Sequence, residues 1–519
     1  MTPTVAELLL ARADDDSPGL LFEDRRWSWA EHVLCSRQYA SLLRSLCVTG
    51  RPFHVGVLLD NVPEFSFLLG GAALSGAVLV GLNPTRGGAA LARDVRLTDC
   101  QLVITDRDLP DDLGVAVLGI GTPRWNRLLA EHTGARPAPA PVTADDLFAL
   151  VFTSGTGGDP KAVRCTHGKI AFPGRMLADR FGLTGDDVAY VSMPMFHSNA
   201  LMAGWAVGLA AGAAIALRRR FSASGFLPDV RRFGATYANY VGKPLSYVLA
   251  TPRRPDDADN PLRLAYGNEG AERDLAAFGE RFGCLVVDGF GSSEGGVAVQ
   301  RTPDTPPGAL GRATDGVAVL DPDTGRRCPP ARFDADGRLA NPDEAVGELV
   351  NTTGPGWFAG YYNDPEADAE RMRDGMYWSG DLGYVDENGF CYFAGRSQDW
   401  LRVDGENLGT APIERALLRH PDVVEAAVYA IPAPDVGDQV MAALRTTDAF
   451  DPARLGEFLC SQRDLGPKQW PAYVRLVDDL PRTPTHKVLK RHLAAEALDT
   501  DDPVWRRCFG TDDYTRLTD

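Results

Sequence analysis

Leu147–Phe152 (LFALVF) is an uncharged apolar run, and it opens directly into Thr153–Lys161, TSGTGGDPK. A short apolar run bounded by turn residues reads as a buried strand, and the loop behind it is built from glycine and hydroxyl residues. Glycines let the backbone approach an anion so that several N–H groups converge on one phosphate. Thr153, Ser154 and Thr156 add hydroxyl donors, Gly155, Gly157 and Gly158 supply the freedom, and Lys161 adds a positive charge. The pattern is not G-x-x-x-x-G-K-[ST], because Lys161 follows Pro160 and precedes Ala162. A Gly/Ser/Thr loop by itself is most often a plain turn; its neighbours decide what this one is.

Working outward, strand and helix patterns alternate through the first 290 residues. Strands are expected at Val55–Leu59, Ala77–Leu82, Leu102–Thr105, Val188–Ser192, Ala213–Leu217, Leu262–Tyr266 and Cys284–Asp288. Helices are expected at Glu64–Leu74, Leu201–Ala211, Ser224–Arg232 and Glu272–Phe282. This rhythm predicts an α/β fold with doubly wound, mostly parallel sheets. Glycine turns and short strand patterns from Gly347 to Phe393 predict a β-rich subdomain, and the pattern restarts after Gly395–Leu401 as a small α+β unit. The expected domains are therefore residues 1–396 and 397–519. In the second, Pro412–Arg419 and Pro452–Ser461 read as helices, Val423–Ile431 as a strand, and Thr500–Asp519 as a surface helix or tail.

The chain has 519 residues, too many for one core. A net charge of −17 argues against a nucleic-acid partner and requires any bound anion to be held by local donors. Nine scattered cysteines without a C-x-x-C fit a reducing cytoplasm rather than a disulfide framework or a zinc site. The N-terminus lacks the pattern of a signal peptide. Ser198–Leu217 is uncharged and long enough to span a bilayer, but it is mostly Ala and Gly. It reads as a buried helix to about Ala211 followed by a buried strand, so no integral span is expected.

Four further motifs follow in order. Gly289–Gly295 (GFGSSEG) lies beyond a strand, where open α/β sheets bind ligands. It offers Phe290, Gly291, Ser293 and Glu294, the last a hard oxygen ligand. Tyr377–Asp381 (YWSGD) places a carboxylate, Asp381, that could accept two ribose hydroxyls. Gly395–Asn407 (GRSQDWLRVDGEN) carries the donor fork of Arg396. Pro481–Lys490 (PRTPTHKVLK) contains Lys487. Alone, each has a plainer reading: a glycine turn, a turn aspartate, a linker salt bridge, a solvated lysine.

In this order and spacing, across nearly the whole chain, the five motifs resemble the adenylate-forming superfamily of acyl-CoA synthetases, adenylation domains and luciferases. Tyr266–Arg281 (YGNEGAERDLAAFGER) together with GFGSSEG is most similar to long- and very-long-chain acyl-CoA synthetases of the fatty-acid-transport-protein type, in the actinobacterial branch acting on fatty acids or steroid side chains. The resemblance implies ATP, Mg²⁺ and coenzyme A as cofactor and co-substrates, and a small-molecule carboxylic acid, medium to long or polycyclic, as the partner. It leaves open a monomer or homodimer and a peripheral membrane association.

By the same resemblance, Thr153–Lys161 wraps the phosphates, Thr156 and Glu294 serve phosphate and Mg²⁺, and Gly267, Asn268, Glu269, Gly270 and Phe290 meet adenine. Gly291 and Ser293 belong to the same nucleotide site, Asp381 and Arg396 hold ribose, and Lys487 bridges carboxylate and α-phosphate. His197, in PMFHSNA, is the family's acyl-pocket histidine, with Asn199, Trp205, Tyr240 and Val241 as further pocket candidates. The C-terminal domain is implied to be mobile about Gln398.

There are departures. The loop lacks one of the family's phosphate-facing threonines, Ser293 replaces the usual threonine, and His486 precedes Lys487. An alternative within the superfamily is secondary-metabolism chemistry with another acid or acceptor, including ATP-dependent diazotisation of an aromatic amine with nitrite. A catalytically dead scaffold or lipid carrier is the reading from another class, and the retained Lys161, Glu294, Asp381, Arg396 and Lys487 count against it.

Overall fold

The computed structural model describes residues 2–48, 50–109, 113–153, 160–396, 400–403, 406–433, 437–482, 488–508 and 513–517. Two compact units emerge. The first comprises Met1–Gly270, Asp274–Gly295 and Trp357–Ala369; the second comprises Ala271–Arg273, Gly296–Gly356 and Glu370–Asp519.

The first unit holds two largely parallel sheets. One runs, edge to edge, Leu285–Asp288, Leu264–Asn268, Tyr237–Val241, Val188–Val191, Ala214–Leu217, Pro18–Phe22, Arg25–Ser28. Only its last pair is antiparallel. The other runs Ala116–Gly119, Leu102–Thr105, His54–Leu58, Val78–Gly81, Leu147–Thr153, Lys161–Thr166. Again only the final hairpin is antiparallel. Parallel strands need crossover helices on their faces, so their central residues are buried on both sides, as the uninterrupted apolar runs required. All seven strands expected before residue 290 are present within a residue or two.

The segment weighed as a membrane span divides as its composition implied, into helix and then the strand Ala214–Leu217. Among the described residues no helix is long and apolar enough to cross a membrane. The helical part is not one regular helix. Leu201–Trp205 forms a π-type turn between Ser198–Ala200 and the α-helix Ala206–Ala211. Such wide turns need outside partners and recur at functional sites. Here Tyr237 Oη donates to Ala203 O at 2.5 Å, and the Trp205 indole donates to Ser66 Oγ at 2.8 Å. Ser66 also meets His32 Nε2 at 2.7 Å, a polar knot inside the core. Burial without a counter-charge lowers the His32 pKa to about 3, so the imidazole is neutral.

The second unit contains an antiparallel sheet ordered Val299–Gln300, Gly311–Ala313, Phe390–Arg396, Met376–Val385, Gly347–Asn351, Val317–Leu320. This is the β-rich part expected from Gly347–Phe393. Its last sheet begins at Trp400 and is ordered Glu406–Gly409, Trp400–Val403, Gly437–Thr446, Tyr473–Leu476, Val504–Arg507, Tyr514–Arg516, with Val423–Ala433 paired to Gly437–Thr446. Helices Thr410–Leu417 and Leu455–Ser461 cover it. The reading of Thr500–Asp519 as a surface helix or tail is corrected: Val504–Arg507 and Tyr514–Arg516 are paired strands. Tyr514 is buried with its hydroxyl on Pro471 O at 2.7 Å. Val504 is buried as well and Trp505 half-buried; apolar positions scattered among charged ones were the overlooked signal.

Candidate active site

In the first unit the site grows from strand ends. Thr153 closes its strand directly opposite Lys161, so the two ends of the TSGTGGDPK loop are pinned as a hairpin. Ser154, Gly155, Thr156, Gly157 and Gly158 lie outside the described residues, as do Gln398 and Lys487.

Glu294 is the centre of a cluster. Its Oε1 accepts from Tyr361 Oη at 3.0 Å and from Thr153 Oγ1 at 3.4 Å. The Lys161 ammonium lies over the Tyr361 ring, 5.3 Å from its centroid. Beneath the loop, Lys169 Nζ donates to the Glu294 backbone carbonyl at 2.9 Å and to Arg164 O at 3.3 Å. Lys169 is 2 % exposed, and burial lowers its pKa below the ordinary lysine value. Its helix starts correctly because the Thr166 side chain accepts from Lys169 N.

Among the described residues no three His, Cys, Asp or Glu gather into a metal cage. One carboxylate ringed by hydroxyls suits Mg²⁺, which binds through one or two carboxylates and takes its other ligands from phosphates and water. The donor set therefore fits a cation that arrives with a nucleotide.

The adenine candidates lie at the ends of two neighbouring strands and pack closely. A Cβ on Gly267 would stand 2.2 Å from Tyr240 O, and one on Gly242 would stand 1.7 Å from Glu269 O. Only hydrogen fits at either place. Glu269 takes φ 65°, and Gly270 N donates to Asp288 Oδ1 at 3.0 Å. Gly291, by contrast, has open space where its side chain would be, and Phe290 is half-buried beside it.

The His197 segment is tied to these loops. His197 is half-buried with its ring 4.1 Å from that of Phe196. Ser198 Oγ meets Ser293 Oγ at 2.6 Å. Asn199 Nδ2 donates to Asn268 Oδ1 and to Tyr240 O, both at 3.0 Å, and Asn199 Oδ1 accepts from Asn239 Nδ2 at 2.6 Å.

Strand alternation separates other pocket candidates. The Tyr240 ring belongs to an apolar cluster with Phe226 and Phe278, and its hydroxyl reaches Asp288 Oδ1 at 2.9 Å. The side chain that meets Asn199 from this strand is Asn239 instead, one residue earlier. Trp205 is fully buried in the Ser66 knot, and Val241 is half-buried at the strand's end.

In the second unit, Asp381 and Arg396 are cross-strand partners, with Arg396 Nε 3.6 Å from Asp381 Oδ1. The Ser379 hydroxyl accepts from Asp381 N at 3.0 Å, fixing the turn of the YWSGD motif. Near the chain's end Lys490 pairs with Glu414 at 2.8 Å, a structural partner for a lysine three residues beyond Lys487.

Sequence reading missed Tyr361, Lys169, Asp288 and Asn239. Asp288 had a visible signal, a carboxylate ending a strand. Tyr361 had only a Tyr-Tyr pair among glycines, and Lys169 and Asn239 had none.

Two family profiles match the chain: AMP-binding enzyme over residues 10–362, and AMP-binding enzyme C-terminal domain over residues 412–487. A medium/long-chain-fatty-acid–CoA ligase, FadD17 of Mycobacterium marinum, is 56% identical over 506 residues, covering 97% of this chain and 98% of the relative. The steroid-22-oyl-CoA synthetase of Rhodococcus jostii is 49% identical over 529 residues, covering 99% and 95%. Among solved structures, ATP-bound MatB from Rhodopseudomonas palustris superposes with a TM-score of 0.83 at 25% identity, covering 96% of this chain and 99% of that one. With the Glu294 cluster, the glycine-lined strand ends and full-length matches of this kind, the chain belongs to the AMP-binding enzymes, the adenylate-forming superfamily that its five motifs resembled.

Proposed function

We propose that this chain, an AMP-forming acid–CoA ligase by family, converts a medium- to long-chain or steroid side-chain carboxylic acid into its coenzyme A thioester in the cytoplasm. The substrate class follows the two kinds of relative, a fatty-acid ligase and a steroid-22-oyl ligase. In the first half-reaction a carboxylate oxygen attacks the α-phosphorus of ATP and pyrophosphate leaves. In the second, the thiol of coenzyme A gives up its proton, attacks the acyl carbon, and AMP leaves.

The observation that carries this reading is the Glu294 carboxylate, bounded by the Thr153 and Tyr361 hydroxyls, with Lys161 over the same tyrosine. Two anions meet in the first step, so donors and cations must be in place beforehand. Mg²⁺, held by Glu294 with Thr156, supplies positive charge to the phosphates when bound. The TSGTGGDPK loop cradles those phosphates. Gly267–Gly270, Phe290, Gly291 and Ser293 receive the base and α-phosphate side. Asp381 and Arg396 are assigned to ribose, and Lys487 to the carboxylate and α-phosphate. His197, Asn199 and Val241 border the acid. Residues 397–519 turn about Gln398 between the half-reactions.

The test is pyrophosphate release across fatty and steroid side-chain acids, with and without coenzyme A. Acid-dependent release with thioester formation is the expected result. Release without any thioester would move the chain to another acceptor, and nitrite-dependent release would favour diazotisation. No release with any acid would overturn the reading.

A further inference from the structure

His197, Ser198 and Asn199 form a single turn at the head of the π-type segment, and two of them are bonded in different directions. Ser198 Oγ meets Ser293 Oγ at 2.6 Å, immediately before Glu294, whose side chain and carbonyl are held by Tyr361, Thr153 and Lys169. Asn199 spends both amide hydrogens on the other side, on Asn268 Oδ1 and Tyr240 O at 3.0 Å, and its oxygen on Asn239. Asn239 is 3 % exposed, and its strand neighbour Tyr237 grips the π-type turn at Ala203 O. A fully used side-chain amide between three elements fixes one arrangement, because breaking one bond leaves buried polar groups unsatisfied.

We infer that Ser198 and Asn199 are positioning residues that couple acid binding to nucleotide binding: a movement of the His197 turn on one side must move the Ser293–Glu294 and Asn268 segments on the other. The inference rests on the adenylation reading above. Coupling between two sites is reciprocal, so dodecanoate should tighten a nucleotide by the factor with which the nucleotide tightens dodecanoate.

The experiment is calorimetric titration of the full chain with α,β-methylene-ATP, with and without saturating dodecanoate, in Mg²⁺. The unaltered protein should show tightening of about fivefold or more. Ser198→Ala should bring the factor to roughly one while binding of the analogue alone changes far less. Ser293→Ala should also bring the coupling factor to roughly one, whatever it does to the analogue's own affinity, with the double variant's factor no lower than that of either single one, as expected for residues acting as a pair. Asn199→Asp keeps the side chain's shape and removes both donors; it should also abolish the coupling, and Ser198→Ala keeps the test open if that variant does not fold. Unchanged coupling in the serine variants, or no coupling in the unaltered protein, overturns the inference. Failure of the unaltered chain to bind the analogue at all overturns the adenylation reading, and the coupling falls with it.

Discussion

Gly242→Ala is the most direct perturbation of the strand-end geometry. Gly242 opens the helix Gly242–Leu249, right after the strand Tyr237–Val241. Its new Cβ would stand 1.7 Å from Glu269 O, 2.4 Å from the Glu269 carbonyl carbon and 2.9 Å from Gly270 N. All three are backbone atoms that no rotamer can move. Ordinary contact begins near 3.5 Å, so the Glu269–Gly270 backbone must retreat by roughly 1.8 Å. Overpacking of this kind costs about 1–3 kcal/mol, and the favourable Gly→Ala term of about 0.5–1 kcal/mol offsets only part of it. The retreat also strains the 3.0 Å bond from Gly270 N to Asp288 and the 3.0 Å bond between Asn199 and Asn268. Misplacing a positioning segment by about 1 Å can lower a rate by about 10²-fold. The expected outcome is a melting temperature lower by a few degrees and kcat/KM for ATP reduced by about 10², measured by pyrophosphate release. Gly291→Ala is the control for packing: no atom stands within 4 Å of its Cβ, so the melting temperature should hold while ATP affinity falls. Gly242→Ala with both wild-type melting and wild-type kcat/KM for ATP would refute the placement of these segments at the nucleotide.

Glu294→Gln keeps the side chain's shape and its Tyr361 partner but removes the anion; a Mg²⁺ titration should shift to higher concentration and maximal pyrophosphate release should fall by about 10². Lys487→Ala should lower adenylation by about 10²–10³ while ATP binding survives, and near-wild-type pyrophosphate release would remove Lys487 from the chemistry. Buried His32 has its pKa lowered from 6.5 to about 3. The unfolded chain therefore takes up a proton first, so this residue's contribution to stability is whole above pH 6.5 and is lost as pH falls toward 3, by about 1.4 kcal/mol per unit. Urea unfolding between pH 7 and 4.5 should show that slope flattened in His32→Gln.

Much of the fold was legible because parallel strands, buried on both faces, leave continuous apolar runs such as Val188–Ser192 and Ala213–Leu217. The π-type turn was not, because Leu201–Ala211 is apolar around its whole circumference and gives no period to distinguish one helical form from another. The paired strands Val504–Arg507 and Tyr514–Arg516 were hidden too, since the outermost pair of this sheet is rich in polar residues and fully buries only Val504 and Tyr514. At the site, motif residues such as Thr153 and Glu294 could be singled out because they fall in a dense local pattern. Tyr361 and Lys169 could not, because each meets Glu294 from a distant part of the chain. The choice between Tyr240 and Asn239 needed the register of one strand, and a single step along it exchanges the two faces.

The wide turn at Leu201–Trp205 also says how the chain can change length here over generations. Such a turn holds one residue more than a regular helix at the same place, so its loss by a one-codon deletion would restore ordinary helical winding. Everything before it, beginning with His197, Ser198 and Asn199, would keep its facing relative to the anchored Trp205, because the wide turn is what absorbs the extra residue. Only the side chains within the turn itself would be redistributed, while the buried anchor stayed in place. A one-residue insertion or deletion there is thus a change the fold can absorb within a single turn, without moving the segments on either side.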